Sequence, residues 1–178
     1  DSLHKTIREV FHGLKFSWEQ FYSADLNVAL DLKKFNNENE IEFEVIGTSI
    51  DNKDTEKSFF KNKLGDRGWT FVESDKNKRG IYLTTESKYI VTIDSTLGYE
   101  CLARGQRVNF FSIRSQYLKA NYSKFGWVMD LDEEGLCWTT KNNQKDFNRI
   151  TNFLVNGTDA DWENLRNKFL NDLLFYNP

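Results

Sequence analysis

Residues 89–111, Tyr89-Ile-Val-Thr-Ile-Asp94-Ser95-Thr96-Leu97-Gly98-Tyr-Glu100-Cys-Leu-Ala-Arg104-Gly105-Gln-Arg-Val-Asn-Phe-Phe111, read as a strand, a polar turn, one short helix and a second strand. A buried strand that ends in Asp-Ser-Thr and opens straight onto a helix leaves several backbone N–H groups without intrahelical partners. They lie beside two hydroxyls and the positive end of the helix dipole. The stretch therefore predicts a seat for an anion, a phosphate foremost, on Ser95, Thr96 and the N–H groups of Leu97 and Gly98.

Outward from this stretch the chain keeps alternating. Upstream, the patterns predict a strand over 41–48, a helix over 53–64, a strand over 69–72 and a short helix over 81–87. Downstream, a strand at 107–112 is followed by a loop-rich stretch over 117–138, then helices over 144–155 and 159–175. Strand and helix joined by short links imply a parallel sheet with helices on both faces. The fold expected is α/β, a Rossmann-like parallel sheet of about four to five strands closed by C-terminal helices. Residues 1–40 read as a helical lead-in, with Leu3, Ile7, Val10 and Phe11 at helical spacing and Gly13 as its stop, and a second helix over 24–35. Residues 41–115 read as the α/β core and 116–178 as loop and C-terminal helices, all within one domain. The abrupt helical start suggests a fragment, the C-terminal half of something longer.

The bulk composition bounds the function. Of the 178 residues 39% are hydrophobic, 15% aromatic and 29% charged, a globular balance. A net charge of -3 argues against a general nucleic-acid grip, which needs clustered positive charge. Cys101 and Cys137 have no Cys-x-x-Cys spacing; Cys101 reads as a small buried thiol and the pair as a sign of a reducing, cytoplasmic setting. No run approaches the ~18 apolar residues of a membrane span. With no signal peptide at the start, the sequons at Asn121 and Asn156 read as chance. His4 and His12 are too far apart for a helical metal site, so neither metal nor cofactor is expected.

Ligands in open parallel sheets bind beyond the carboxyl ends of the strands. Three polar segments should meet there: Gly47-Thr48-Ser49, Asp94-Ser95-Thr96 and Ser112-Ile-Arg114-Ser115. Each candidate has a structural alternative. Asp94-Ser95-Thr96 can be a helix N-cap and nothing more. Glu100 stands four beyond Thr96 and five beyond Ser95, outside the spacing of a capping box, so it is free either to accept from a ribose or sugar diol or to lie in solvent. Arg114 suits a phosphate, whereas Arg104, in the last helical turn, suits the dipole. Thr48 and Ser49 are candidate hydroxyls on a commonplace strand end. The acidic run at 130–134 reads as a solvated loop, and Trp127 and Trp138 as core or as a cover for a ring. The phosphate-loop, dinucleotide-turn and nucleophile-elbow motifs are missing, which removes ordinary kinases, NAD enzymes and α/β-hydrolases.

The segment from Asp94 to Gly105, with Arg-Val-Asn-Phe-Phe-Ser-Ile-Arg114 after it, resembles bacterial surface-carbohydrate biosynthesis proteins. These are similar to the nucleotide-sugar-binding half of two-Rossmann-domain (GT-B) glycosyltransferases. Phe125-Gly-Trp127, Gly135-Leu-Cys-Trp-Thr139 and Phe147-Asn-Arg-Ile150 extend the likeness over about 41–153. The resemblance implies that Ser95 and Thr96 hold the donor phosphate and that Glu100 meets the ribose of a CMP-, CDP- or UDP-linked sugar. It further implies a glycan acceptor, a catalytic group supplied by a second domain, and membrane association, if any, through the rest of the protein. The His-Pro pair common in cytidine-linked transferases is replaced by Gly47-Thr48-Ser49. A non-catalytic nucleotide or sugar-phosphate binding module, or a relative of nucleotide-sugar 2-epimerases, fits the same residues.

Overall fold

The computed structural model describes residues 7–10, 14–48, 53–74, 80–118 and 131–173. The chain forms two compact units, Asp1–Thr85 and Glu86–Pro178. In the first, β1 (Ile7–Val10) pairs antiparallel with β2 (Leu14–Ser17), Ile7 opposite Ser17 and Val10 opposite Leu14. Over residues 7–10 this hairpin corrects the helix expected over 1–12; the rest of that span lies outside the described residues. Ile7 and Val10 are β-branched and lose less in a strand than in a helix. The partner that satisfies the backbone of 7–10 lies at 14–17, outside the span whose apolar spacing suggests a helix.

Helix α1 (Trp18–Glu38) starts at a capping box: the Ser17 hydroxyl accepts from the Gln20 N–H at 3.1 Å, and the Ser17 N–H donates to Gln20 Oε1 at 2.8 Å. Ala24, Val28, Ala29 and Leu32 form its buried stripe. Strand β3 (Glu44–Ile46), helix α2 (Lys53–Leu64) and strand β4 (Thr70–Val72) make a parallel pair with Val45 opposite Phe71. Ala29 from α1 and Phe59, Phe60 and Leu64 from α2 are its core, with Tyr22, Leu26, Phe43, Val45, Trp69 and Phe71 packed around them. A single helical turn, α3 (Gly80–Leu83), follows.

The second unit holds a three-stranded parallel sheet in the order β5 (Tyr89–Thr92), β6 (Arg107–Phe111), β7 (Trp138–Thr139). Helix α4 (Thr96–Ala103) links β5 to β6; α5 (Arg114–Leu118) follows β6, and α6 (Gln144–Asn156) and α7 (Asp159–Leu173) end the described chain. Alternation along β6 sets the layers. Phe110 meets Tyr99 of α4, with ring centroids 4.9 Å apart, whereas Phe111 meets Phe147 of α6 at 5.6 Å. Helices thus cover both sheet faces. Val108, Phe110, Cys101, Leu102, Trp138, Leu154, Trp162, Leu165 and Phe169 belong to one buried cluster, in which each large apolar side chain contributes about 1.5–3 kcal/mol.

Eight residues are too few for a helix to persist alone in water. Packing holds α4 in place, and Gly98 makes that packing close: a Cβ there would stand 2.5 Å from Thr92 Cγ2 and 2.8 Å from Phe110 Cε1. The α/β class and the helices over 53–64, 96–103, 144–156 and 159–173 agree with the sequence. The expected single sheet of four to five strands does not: among the described residues the parallel strands divide into a sheet of two and a sheet of three. Strand pairing is set by contacts between distant segments, which the local pattern does not encode. Among the described residues no helix is long and apolar enough to cross a membrane.

Candidate functional site

Because β5, β6 and β7 are parallel, their carboxyl ends share one edge. Asp94-Ser95-Thr96, Ser112 to Ser115, and the turn from Thr140 to Asn143 all leave from it. Ser95 is the N-cap of α4 and its hydroxyl accepts from the Leu97 N–H at 3.3 Å. The Ser95 N–H donates to Thr92 Oγ1 at 3.2 Å, and the Gly98 N–H donates to the Ser95 carbonyl at 3.0 Å. The capping alternative is therefore realised at Ser95, and Leu97 and Gly98 make their hydrogen bonds within the turn. Ser95 and Thr96 are nonetheless exposed, while Leu97 is half-buried against the core.

The first turn of α4 carries no acidic side chain. The other long helices each do: Glu19 in α1, Asp54 and Glu56 in α2, Asp146 in α6, and Asp159 and Asp161 in α7. A carboxylate near the first turn offsets the positive helix end. The α4 end is left without one of its own.

Asp94 and Arg114, from two different turns, meet across this edge. Arg114 Nε donates to Asp94 Oδ2 at 2.6 Å and its Nη2 to Oδ1 at 3.0 Å. The guanidinium is only 3% exposed and the carboxylate 23%. Arg114 is thus buried and paired. Glu100 is exposed, one turn beyond Thr96, on the stripe of α4 opposite the buried Gly98, Cys101 and Leu102. Arg104 is the C-cap residue of α4, just past the last turn in which the sequence placed it, with its guanidinium near Cys101 Sγ (3.5 Å) and Gln106 Oε1 (3.3 Å).

Thr48 follows β3 and belongs to the other sheet and the other unit. Its N–H reaches both oxygens of Glu56 at 3.1 Å, and its hydroxyl donates to Glu56 Oε1 at 3.1 Å. Glu56 itself is 2% exposed. Ser49 lies outside the described residues, as do His4, His12, Asn121 and Phe125 to Trp127. Of the three polar segments, those after β5 and β6 leave from the same sheet, and Thr48 leaves from the sheet of β3 and β4.

Sequence reasoning missed the scaffold beside the site. Glu134 bridges to Thr139 in a tight antiparallel turn, and the Trp138 indole N–H donates to the Asp132 carbonyl at 3.1 Å. A Cβ on Gly135 would fall 2.0 Å from the Trp138 ring, so only glycine lets that ring close over the turn. Arg149 of α6 fastens the turn by donating to the Gly135 and Trp138 carbonyls and pairing with Asp146 at 3.0 Å. Burial pushes the Asp146 carboxyl up, but its contacts with Asn143, Arg149 and Glu134 outweigh that and hold it below the usual carboxylate range. The clue was a buried-length Trp beside an acidic run with an Arg eleven residues on, too generic to single out. Trp138 is core, and Asp132, Glu133 and Glu134 are exposed, as the sequence led us to expect.

Cys101 and Cys137 are buried and not joined in a disulfide, and burial pushes the Cys137 thiol far above its ordinary value. No group of metal-ligating side chains occurs among the described residues. A shallow depression of about 410 Å3 borders Asn37, Glu40, Phe43 and Trp69. It opens at the amino-terminal edge of β3 and β4, the edge such sheets do not use for ligands.

Neither the curated proteins nor the solved structures contain a match to this chain. A family model does match, over residues 3–178, and its description is "putative O-antigen biosynthesis protein". With that match spanning nearly the whole sequence, the chain belongs to this O-antigen biosynthesis family.

Proposed function

We propose that the chain is the nucleotide-sugar-binding half of a GT-B-like glycosyltransferase that works in the synthesis of O-antigen or a related bacterial surface polysaccharide. The family's description supports the pathway. One observation carries the ligand: α4 presents exposed Ser95 and Thr96 at a positive end that no acidic side chain of its first turn offsets. In this reading a donor phosphate supplies at α4 the negative charge that Glu56 and Asp146 bring to the first turns of their own helices. The Ser95 contact to Leu97 is long at 3.3 Å, so the hydroxyl can turn from capping toward a phosphate oxygen at little cost. The Thr96 hydroxyl and the Leu97 N–H that the turning Ser95 releases complete the seat, and Glu100, one turn on, accepts from the ribose diol. Donors fixed in this way act where charge develops on the leaving phosphate, so they serve transfer as well as binding. Thr48 and Ser49 form a second, separate set of candidate hydroxyls. The acceptor and the catalytic group belong to the complementary domain.

The test is a thermal-shift and calorimetric series with CMP, CDP, UDP and GDP. A true ligand at ~100 times its dissociation constant raises stability by about 2.7 kcal/mol. The double variant Ser95→Ala/Thr96→Val is expected to weaken that ligand at least tenfold, while Thr48→Val reports on the second set. Absence of any nucleotide effect on the wild-type chain overturns the proposal. Sugar interconversion without an acceptor would favour the epimerase relationship instead.

A further inference from the structure

The ion pair at the sheet edge assigns Arg114 a different task from the one its charge first suggests. We infer that Arg114 is a positioning residue that acts on the donor through Asp94, by cancelling that carboxylate and fixing the turn that carries Ser95 and Thr96. This rests on the nucleotide-sugar reading of the site. The argument starts from burial: a guanidinium 3% exposed, with two of its nitrogens on Asp94, has little surface left to offer an incoming phosphate. It continues with geometry. Arg114 opens α5 just after β6, and Asp94 follows β5, so the pair ties two neighbouring turns of the same edge. The two parallel bonds of the fork fix direction as well as distance, which a lysine cannot do. Charge gives the final step. Asp94 immediately precedes the residues that would receive a phosphate, and a carboxylate that loses its countercharge there repels an anion a few ångströms away at the exposed start of α4. Paired, it becomes part of the wall.

The prediction differs from that of a direct phosphate ligand. Arg114→Gln should weaken CDP or UDP binding at least tenfold, because it takes the Arg114 countercharge from Asp94. Adding Asp94→Asn to it removes the carboxylate charge as well and should restore the dissociation constant to within about threefold of the wild type. Arg114→Lys, which keeps the charge and loses the fork, should fall between them. The deficit of Arg114→Gln should also shrink as salt is raised, since screening acts on repulsion and not on a misfolded turn.

Calorimetry on the full chain at two salt concentrations, with the melting temperature of each variant alongside, decides the matter. Rescue by the double variant, with a salt-sensitive deficit in the single one, supports the inference. A double variant as weak as Arg114→Gln, or tighter binding by Asp94→Asn alone, means that Arg114 touches the phosphate and overturns it. Should Arg114→Gln fail to fold, Arg114→Lys and Asp94→Asn still separate these outcomes. Nucleotide binding that ignores every Arg114 variant sinks this inference alone, and a wild-type chain that binds no nucleotide sinks the site reading with it.

Discussion

The units each contain a strand, a helix and a parallel strand, yet they finish the turn after the first strand in opposite ways. After β3 the chain supplies its own anion: buried Glu56, in the first turn of α2, accepts from the N–H and hydroxyl of Thr48. After β5 the nearby carboxylate, Asp94, is drawn aside by Arg114, and the first turn of α4 has no acidic residue. A helix N-terminus attracts negative charge either way. The difference teaches that the same supersecondary form can close its first turn with a buried carboxylate of its own helix or with a neutral hydroxyl cap that stays exposed.

The comparison can be broken most forcefully at Glu56. Glu56→Ala removes charge-assisted hydrogen bonds from a buried site and leaves space behind, so it should cost about 2–3 kcal/mol in urea unfolding. A change below about 0.5 kcal/mol, the range of an ordinary surface substitution, would show that the carboxylate does not hold its turn. Next comes Gly98, where the second unit packs its helix on the sheet. Gly98→Ala drives a methyl group into Thr92 and Phe110 and should destabilise by about 1–3 kcal/mol. The same variant should weaken nucleotide binding, because it lifts the start of α4.

Helix ends offer a gentler contrast. In both α1 and α4 an N–H just beyond the helix returns to a carbonyl five residues back, Ile41 to Asn36 at 2.9 Å and Gln106 to Cys101 at 3.0 Å. The left-handed position is Gly105 in one (φ 94°) and Glu40 in the other (φ 55°). Only glycine takes that conformation without a steric cost, so Glu40→Gly should raise stability by about 0.5–1 kcal/mol, read as a shift of the urea midpoint at unchanged slope. The smallest effect concerns acid. The Asp146 carboxyl is held down in the folded chain, so its stabilising contribution is present above its unfolded value near ~4 and fades as pH falls through the lower, folded value. Asp146→Asn should flatten that part of the acid limb, with no corresponding change near neutrality in slope against pH.

The middle of the chain was legible because its signals are local. The helix expected over 53–64 and the strand, turn and helix from 89 to 103 follow from apolar spacing and polar punctuation that act within one or two turns. The start was misread for the complementary reason. Residues 7–10 form a strand because residues 14–17 pair with them, and no count of spacing inside 1–12 contains that partner. At the site, Ser95 as a cap was foreseeable from residue type. The engagement of Arg114 by Asp94, twenty residues apart, was not, since any of several acidic groups or a phosphate would have suited the same charge.

What the residues alone determined is the presence of a polar turn between a buried strand and a short helix, together with membership of a family matched from residue 3 to 178. Those properties need only the order of side chains along the chain. What tertiary structure decided is which groups meet: Glu56 holds the turn after β3, Arg114 pairs with Asp94, and Ser95 and Thr96 at the start of α4 stay exposed. Pairing between groups distant in sequence depends on the angle and spacing at which strands and helices pack, and these are fixed only when the whole core assembles.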